Sequence, residues 1–206
     1  EGDLINAAIN EIADSISEDL LLKYSTNPGR LEEASEWLVE NRKILRVTRV
    51  DANSGGIERE CQPLDRAAFS SAQDSTSIHY ATAYSPVYHL DSKNAGAATL
   101  KIIPVCNASG QEGRIWYYPY VTNGTDTTGL TQATLNTAYY LPNECIHALA
   151  LKASINILQA YISNQVQDEE DIEMLQMVQT QLKGLEKSYQ QEIQRFMDES
   201  GKPGGE

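Results

Sequence analysis

What this chain does not contain narrows its function quickly. It holds only three cysteines, Cys61, Cys106 and Cys145, with no CxxC pair among them. An odd count so widely spaced is no disulfide framework, and three reduced thiols acting as small hydrophobes are the simplest reading. The sequons at Asn107 and Asn123 then imply nothing, because glycosylation requires secretion. Cations are scarce: sixteen Lys and Arg face twenty-nine Asp and Glu, for a net charge of -13. A sequence-independent grip on nucleic acid needs clustered cations, so that function class is excluded. No apolar run approaches the roughly 20 residues of a membrane helix, and the first twenty positions carry acids where a signal peptide would be basic and then apolar. No membrane association, secretory signal or leader is expected.

Chemical signatures are missing as well. The chain has no P-loop, GxGxxG, HExxH or GxSxG. Its three histidines are His79, His89 and His147. Cys145 and His147 stand two apart on a predicted helix and point to different faces, while a closed zinc site needs four convergent ligands. No metal, no cofactor and no catalytic residue is expected, and the chain reads as a non-enzyme. A nucleophile pair of Cys145 and His147 is the one enzymatic alternative left open.

What is present is unevenly distributed. Residues 1 to 41 carry -8, residues 42 to 162 carry +1, and residues 163 to 206 carry -6. Both acidic ends read as helical. Ile5, Ala8, Ile9, Ile12, Ile16, Leu20 and Leu21 make one stripe over residues 4 to 24 behind an Asp3 cap. After Asn27-Pro28-Gly29, the spacing of Leu31, Ala34, Trp37 and Leu38 predicts a second short helix and thus a helical hairpin over residues 1 to 41. Pro142 opens another helix with a wide apolar face from Ile146 to Ile162, which suggests burial on more than one side. Asp168 to Asp171 then cap a helix whose seam, Ile172, Leu175, Val178, Leu182, Leu185, Tyr189, Ile193 and Phe196, steps by three and four. GKPGGE closes as a tail.

Between these ends the pattern becomes β. ILRVTRV, a Gly55-Gly56 turn and Ile57 to Cys61 predict a hairpin, Pro63 to Ala72 a short helix or turn, and SIHYATAYSPVYHLD, TLKIIPVC and RIWYYPYV two or three more strands. Pro86, Pro104 and Pro119 argue for short edge strands or bends in place of a deep central sheet, with about five strands in all. Residues 122 to 138 read as a long polar loop. The resulting fold class is α+β, mainly helical: a helical hairpin and a long C-terminal helix pair with a small antiparallel β insertion. Residues 1 to 198 read as one domain (hairpin 1–41, β region 42–121, loop 122–141, helix pair 142–198), followed by a tail.

Eight tyrosines crowd between Tyr80 and Tyr140. Tyr covers apolar surface and keeps a polar tip, which suits interfaces as well as sheet faces. Tyr117, Tyr118, Tyr120, Tyr139 and Tyr140 are therefore candidate partner contacts. Tyr189, Ile193 and Phe196 join them, because a final helix of about 29 residues overhangs a preceding one of about 24. Core packing against Ile5 to Leu21 is the alternative for these last three.

The order of parts, from the hairpin through ILRVTRV, IHYATAYSPVYHLD, LKIIPVC and IWYYPYV to YYLPNECIHALALKASINILQAYI and the acid-capped helix, resembles head-to-tail adaptor (connector) proteins of tailed bacteriophages. The resemblance spans roughly residues 3 to 197, and its motifs are packing patterns without chemistry. It implies a virion structural protein made in the bacterial cytoplasm and sited in the neck between capsid and tail. It also implies a homo-oligomeric ring, commonly of twelve subunits, bound to the portal protein and to the next tail or nozzle component. DNA would pass through the lumen without specific binding. The competing class is a small recognition or tail-accessory module using the Tyr-rich β region.

Overall fold

The computed structural model describes residues 2–24, 30–51, 55–93, 97–122, 140–165 and 172–200. About 49% of these are helical and 28% lie in strands. The expectation of a mainly helical protein with a small β insertion is thereby corrected, since eight strands form two sheets of their own. The chain divides into two compact units, one of Glu1–Pro28 with Tyr120–Glu206, the other of Gly29–Pro119.

The first unit is helical. Its N-terminal stripe forms two helices instead of one, α1 (Gly2–Ser15) and α2 (Glu18–Tyr24). Ser17 causes the break: its hydroxyl accepts from the Leu20 N–H at 3.3 Å and so caps a new start. Ala8, Ile9, Ile12 and Ala13 of α1 are fully buried. Past Pro142 a single 3-10 turn, Asn143–Cys145, leads into the third helix of this unit (Ile146–Gln165), and the last helix covers Ile172–Ser200. With the short helix of the β unit numbered α3 below, these are α4 and α5. Leu149 and Ile155 of α4 and Val178, Tyr189, Ile193 and Phe196 of α5 are buried. The Asn156 amide donates to the Leu4 carbonyl at 3.1 Å, and Lys152 pairs with Glu11, which holds α1 against α4.

The second unit is a two-layer β structure. One sheet has the order β1-β8-β3-β4, the other β2-β7-β6-β5. Their ranges are β1 Arg30–Ala34, β2 Glu36–Leu38, β3 Arg42–Asp51, β4 Ile57–Glu60, β5 Gln62–Pro63, β6 Val87–Lys93, β7 Ala97–Ile103 and β8 Gln111–Pro119. The second helix predicted over residues 28 to 41 is thus replaced by β1 and β2. Trp37 is buried between exposed Glu36 and Leu38, the alternation of a strand, and pairing with β8 and β7 satisfies backbone groups that an isolated helix would have satisfied locally. Ser35 turns the chain from the first sheet to the second and accepts from the Ile102 N–H at 3.3 Å.

The hairpin of β3 and β4 forms as expected, with Gly55 and Gly56 at φ of 82° and 68° in the left-handed region. A 3-10 turn (Arg66–Ala68) and α3 (Phe69–Gln73) occupy the predicted short-helix position. Most of the stretch before Pro86 is turn instead of strand. Pro119 ends β8, which is a central strand and no edge. Trp37, Val47, Cys61, Leu100, Ile102, Ile115 and Tyr117 make one core cluster. At Gly113 an added Cβ would sit 2.5 Å from the Ala34 carbonyl oxygen and 2.6 Å from Ile102 Cδ1, so only glycine allows the close packing there. A second cluster of Leu64, Phe69, Ala72, Ala81, Val87 and Ile103 joins α3 to β6 and β7.

Candidate interaction surfaces

The candidate partner contacts do not gather on one exposed surface. In the β unit, Tyr117 is buried with the Arg42 guanidinium 4.1 Å from its ring centroid, and Tyr118 is 1% exposed. In the helical unit, the Tyr120 hydroxyl donates to Asp14. Burial and this carboxylate raise its pKa to about 12. The Asn10 side chain clasps the neighbouring backbone, accepting from the Val121 N–H and donating to the Val121 carbonyl, both at 2.8 Å. Tyr140 is half-buried at a φ of 54°. Tyr139 and residues 123–139 of the predicted polar loop lie outside the described residues, as do the Asp168–Asp171 cap and the tail.

Tyr189, Ile193 and Phe196 are covered by their own chain instead of exposed at an overhang. Lys152 lies 5.6 Å from the Tyr189 ring centroid. The core-packing alternative accounts for their position.

The remaining chemical candidates are buried or scattered. Cys145 is fully buried, and desolvation with the nearby Glu144 raises its thiol to about 12, which keeps it protonated and a poor nucleophile. His147 is exposed and reaches Glu192 at 3.9 Å. Burial likewise raises Cys61 to about 12. His89 packs on Phe69 with ring centroids 4.2 Å apart, and burial lowers its pKa. His79 lies on an exposed turn. Among the described residues no group of three or more His, Cys, Asp or Glu side chains converges on a metal-sized site.

One internal device escaped the sequence reading. Arg49 is 2% exposed, bonds Asp51 at 3.1 Å and donates from Nε to the Pro104 carbonyl at 3.2 Å. Asp51 also accepts from Gln111 at 3.4 Å. Buried charges require such company. The alternation of Arg49 and Asp51 with apolar positions on a strand was the available signal.

Two exposed apolar surfaces stand out among the described residues. In the β unit, Ile78 is 95% and Tyr84 72% exposed on a tightly bonded turn. Asp74 Oδ1 accepts from the Thr76 N–H and hydroxyl, which holds its carboxyl below the usual range, and Ser77 Oγ accepts from the His79 N–H. The Arg59 guanidinium stacks 4.8 Å from the Tyr84 ring centroid.

The other surface lies on the α4–α5 hairpin. Within Asn143–Asn164 an 18-residue stretch has a mean hydropathy of 1.3, long and apolar enough to cross a membrane by length and composition, which amends the sequence reading of apolar runs. Only 22% of that stretch is buried. Core helices of soluble proteins meet the same length and composition, but are mostly buried. Ile146, Ala150, Ile157 and Tyr161 of α4 are exposed on the face turned away from α1's partners Lys152 and Asn156. On α5, Met174, Met177, Gln181, Gly184 and Ser188 follow at steps of three and four, all exposed. The Tyr161 hydroxyl touches the Met174 sulfur at 3.3 Å, which places both rows on one side of the hairpin. No family model, no curated protein and no solved structure matches the chain.

Proposed function

We propose that this chain is a structural subunit of a bacteriophage virion, a head-to-tail adaptor whose ring joins the portal to the tail and continues the DNA channel. The observation that carries the reading is the division of charge. The helical unit holds six basic and eighteen acidic residues, net -12, while the β unit holds ten and eleven, net -1. A strongly negative surface lets a phosphate backbone slide past without adhering. A nearly neutral β surface can seat on another protein without that repulsion.

The test is to mix the full chain with a portal ring and measure the mass of the product, then to locate the subunit in images of the native particle. Rings on the portal and density in the neck are the expected result. No binding to the portal, or density at a fibre or host-contacting tip, overturns the reading.

A second reading, a non-enzymatic recognition module, is favoured by Ile78 and Tyr84, which stand exposed on a turn ordered by its own hydrogen bonds. It requires that Ile78→Ser with Tyr84→Ala abolish attachment to a carbohydrate or protein ligand while particle assembly stays normal.

A further inference from the structure

Two of the three cysteines converge on one buried cation. Cys61 is the single residue between β4 and β5, where the chain passes from the first sheet to the second, and it is 3% exposed. Its N–H donates to the Val47 carbonyl at 2.9 Å, so it stands beside Val47 on the strand next to β3. Val47 and Arg49, two apart on β3 and both buried, share a face. The Arg49 Nε in turn donates to the Pro104 carbonyl at 3.2 Å, two residues before Cys106. Cys106 is half-buried in the connection from β7 to β8.

Both thiols register this arrangement. Burial pushes Cys61 up to about 12, the neighbouring Cys106 adds to the rise, and the Arg49 guanidinium opposes it. Burial also raises Cys106, again with Arg49 opposing. Such mutual effects fall off with distance, so they accord with two sulfurs placed beside the same guanidinium. Cys145 belongs to the other unit and has Glu144 for its charged neighbour.

Access differs between the two. Val105 is 51% exposed and residues 107 to 110 are exposed, so a small oxidant reaches Cys106 from solvent, whereas Cys61 packs with Trp37, Leu100 and Ile102. Residues 104 to 110 belong to no strand or helix. The backbone at Cys106 can therefore close to the Cα separation of roughly 4.4–6.8 Å that a disulfide requires.

We propose that Cys61 and Cys106 are an oxidation-sensitive pair, closed by a peroxide to a disulfide that ties the β4–β5 junction to the β7–β8 connection. The Cys106 sulfur attacks one peroxide oxygen, the O–O bond breaks, and a sulfenic acid and water form. The Cys61 sulfur then attacks the Cys106 sulfur. The S–S bond forms as the S–O bond breaks, and the hydroxyl leaves with the Cys61 proton as a second water. Two electrons pass from the thiols to the peroxide. The bond encloses about 45 residues, which removes freedom from the unfolded chain and holds the two sheets together. None of this depends on the adaptor reading, although a virion subunit would leave a reducing cytoplasm for surroundings where such a bond persists.

The experiment treats the full chain with hydrogen peroxide and counts free thiols after quenching and denaturation. Thiols held above their ordinary range react slowly, so the treatment runs for hours. The count should fall from three to one, with Cys145 the survivor, and return to three with dithiothreitol. Peptide mapping without reductant should give a Cys61–Cys106 link within one chain. The oxidised chain should melt about 5 °C or more above the reduced one. Cys106→Ser, a change in the outer connection, should keep both remaining thiols under the same treatment and lose the shift. Retention of all three thiols in wild type, a link that includes Cys145, a bond between two chains or a count that does not recover overturns the proposal. A link that leaves melting unchanged overturns its role in holding the sheets.

Discussion

The two units bury their apolar residues by different means. In the β unit two sheets close on each other, and several charges are paired: Arg49 with Asp51, Arg114 with Glu58 and Glu112, and Lys101 with Glu36. In the helical unit α1 covers one side of a two-helix hairpin, the other side leaves Ile157, Met174 and Met177 exposed among the described residues, and eighteen acids outnumber six bases. Among the described residues the β unit therefore closes on itself, while the helical unit leaves apolar residues of its hairpin exposed. Closure in the first depends on shape, because a sandwich tolerates little error in spacing.

Four substitutions can break or sharpen this contrast. The largest effect is expected at Phe196, 4% exposed in the closed side of the helical unit. Phe196→Ala should cost about 4 kcal/mol in urea unfolding of the chain, from lost burial and the cavity left behind. An unchanged midpoint would return Phe196 to the class of partner contacts. Next is Gly113→Val, whose Cβ meets the Ala34 oxygen and Ile102 inside 3 Å. It should cost about 3 kcal/mol and act on the β unit, read as loss of amide protection in β7 and β8 by hydrogen exchange. Protection lost in α1 and α4 instead would show that the two units do not fold on separate terms.

A smaller effect belongs to Tyr120, whose hydroxyl donates to Asp14. Tyr120→Phe should cost about 1 kcal/mol below pH 10. Its folded pKa of about 12 lies above the ordinary 10.0, so the neutral phenol is the stabilised form. Its contribution is complete below pH 10 and is lost as pH rises from 10 through 12, so wild type and variant should converge over that window in denaturant titrations. Divergence at alkaline pH would contradict the bond. The smallest effect is expected at Ile78, almost wholly exposed. Ile78→Ser should leave the melting midpoint within about 0.5 kcal/mol of wild type.

Local pattern announced some of these elements and concealed others. The α1 stripe, the hairpin of β3 and β4, the Pro142 start and the α5 seam follow from periodicity, because each element buries one face against neighbours in the same unit. The stretch from Arg30 to Leu38 misleads because Leu31, Ala34, Trp37 and Leu38 fit a helix by spacing. Their strand state is decided by ladder partners some 60 to 90 residues away, such as Leu100 opposite Trp37 and Tyr117 opposite Arg30. Tertiary pairing of this kind leaves no local trace. The tyrosines mislead differently: aromatic content marks burial and contact alike, and Tyr117 and Tyr118 serve the first. The wide apolar face of α4 was visible, but not how much of it its own chain would cover, which depends on where α1 lies.

One ladder contact bears on how such a chain could be rearranged. The β unit is an insertion: the chain of the helical unit runs to Pro28 and resumes at Tyr120. Its first and last strands are neighbours, with Arg30 directly opposite Tyr117. Partners across an antiparallel ladder stand about 5 Å apart at their Cα atoms. Entry and exit are therefore close enough for two or three residues to bridge the gap after excision. The insertion has the geometry of an exchangeable cassette: a host of helices could lose it, or receive another with equally close ends, without either terminus being asked to move.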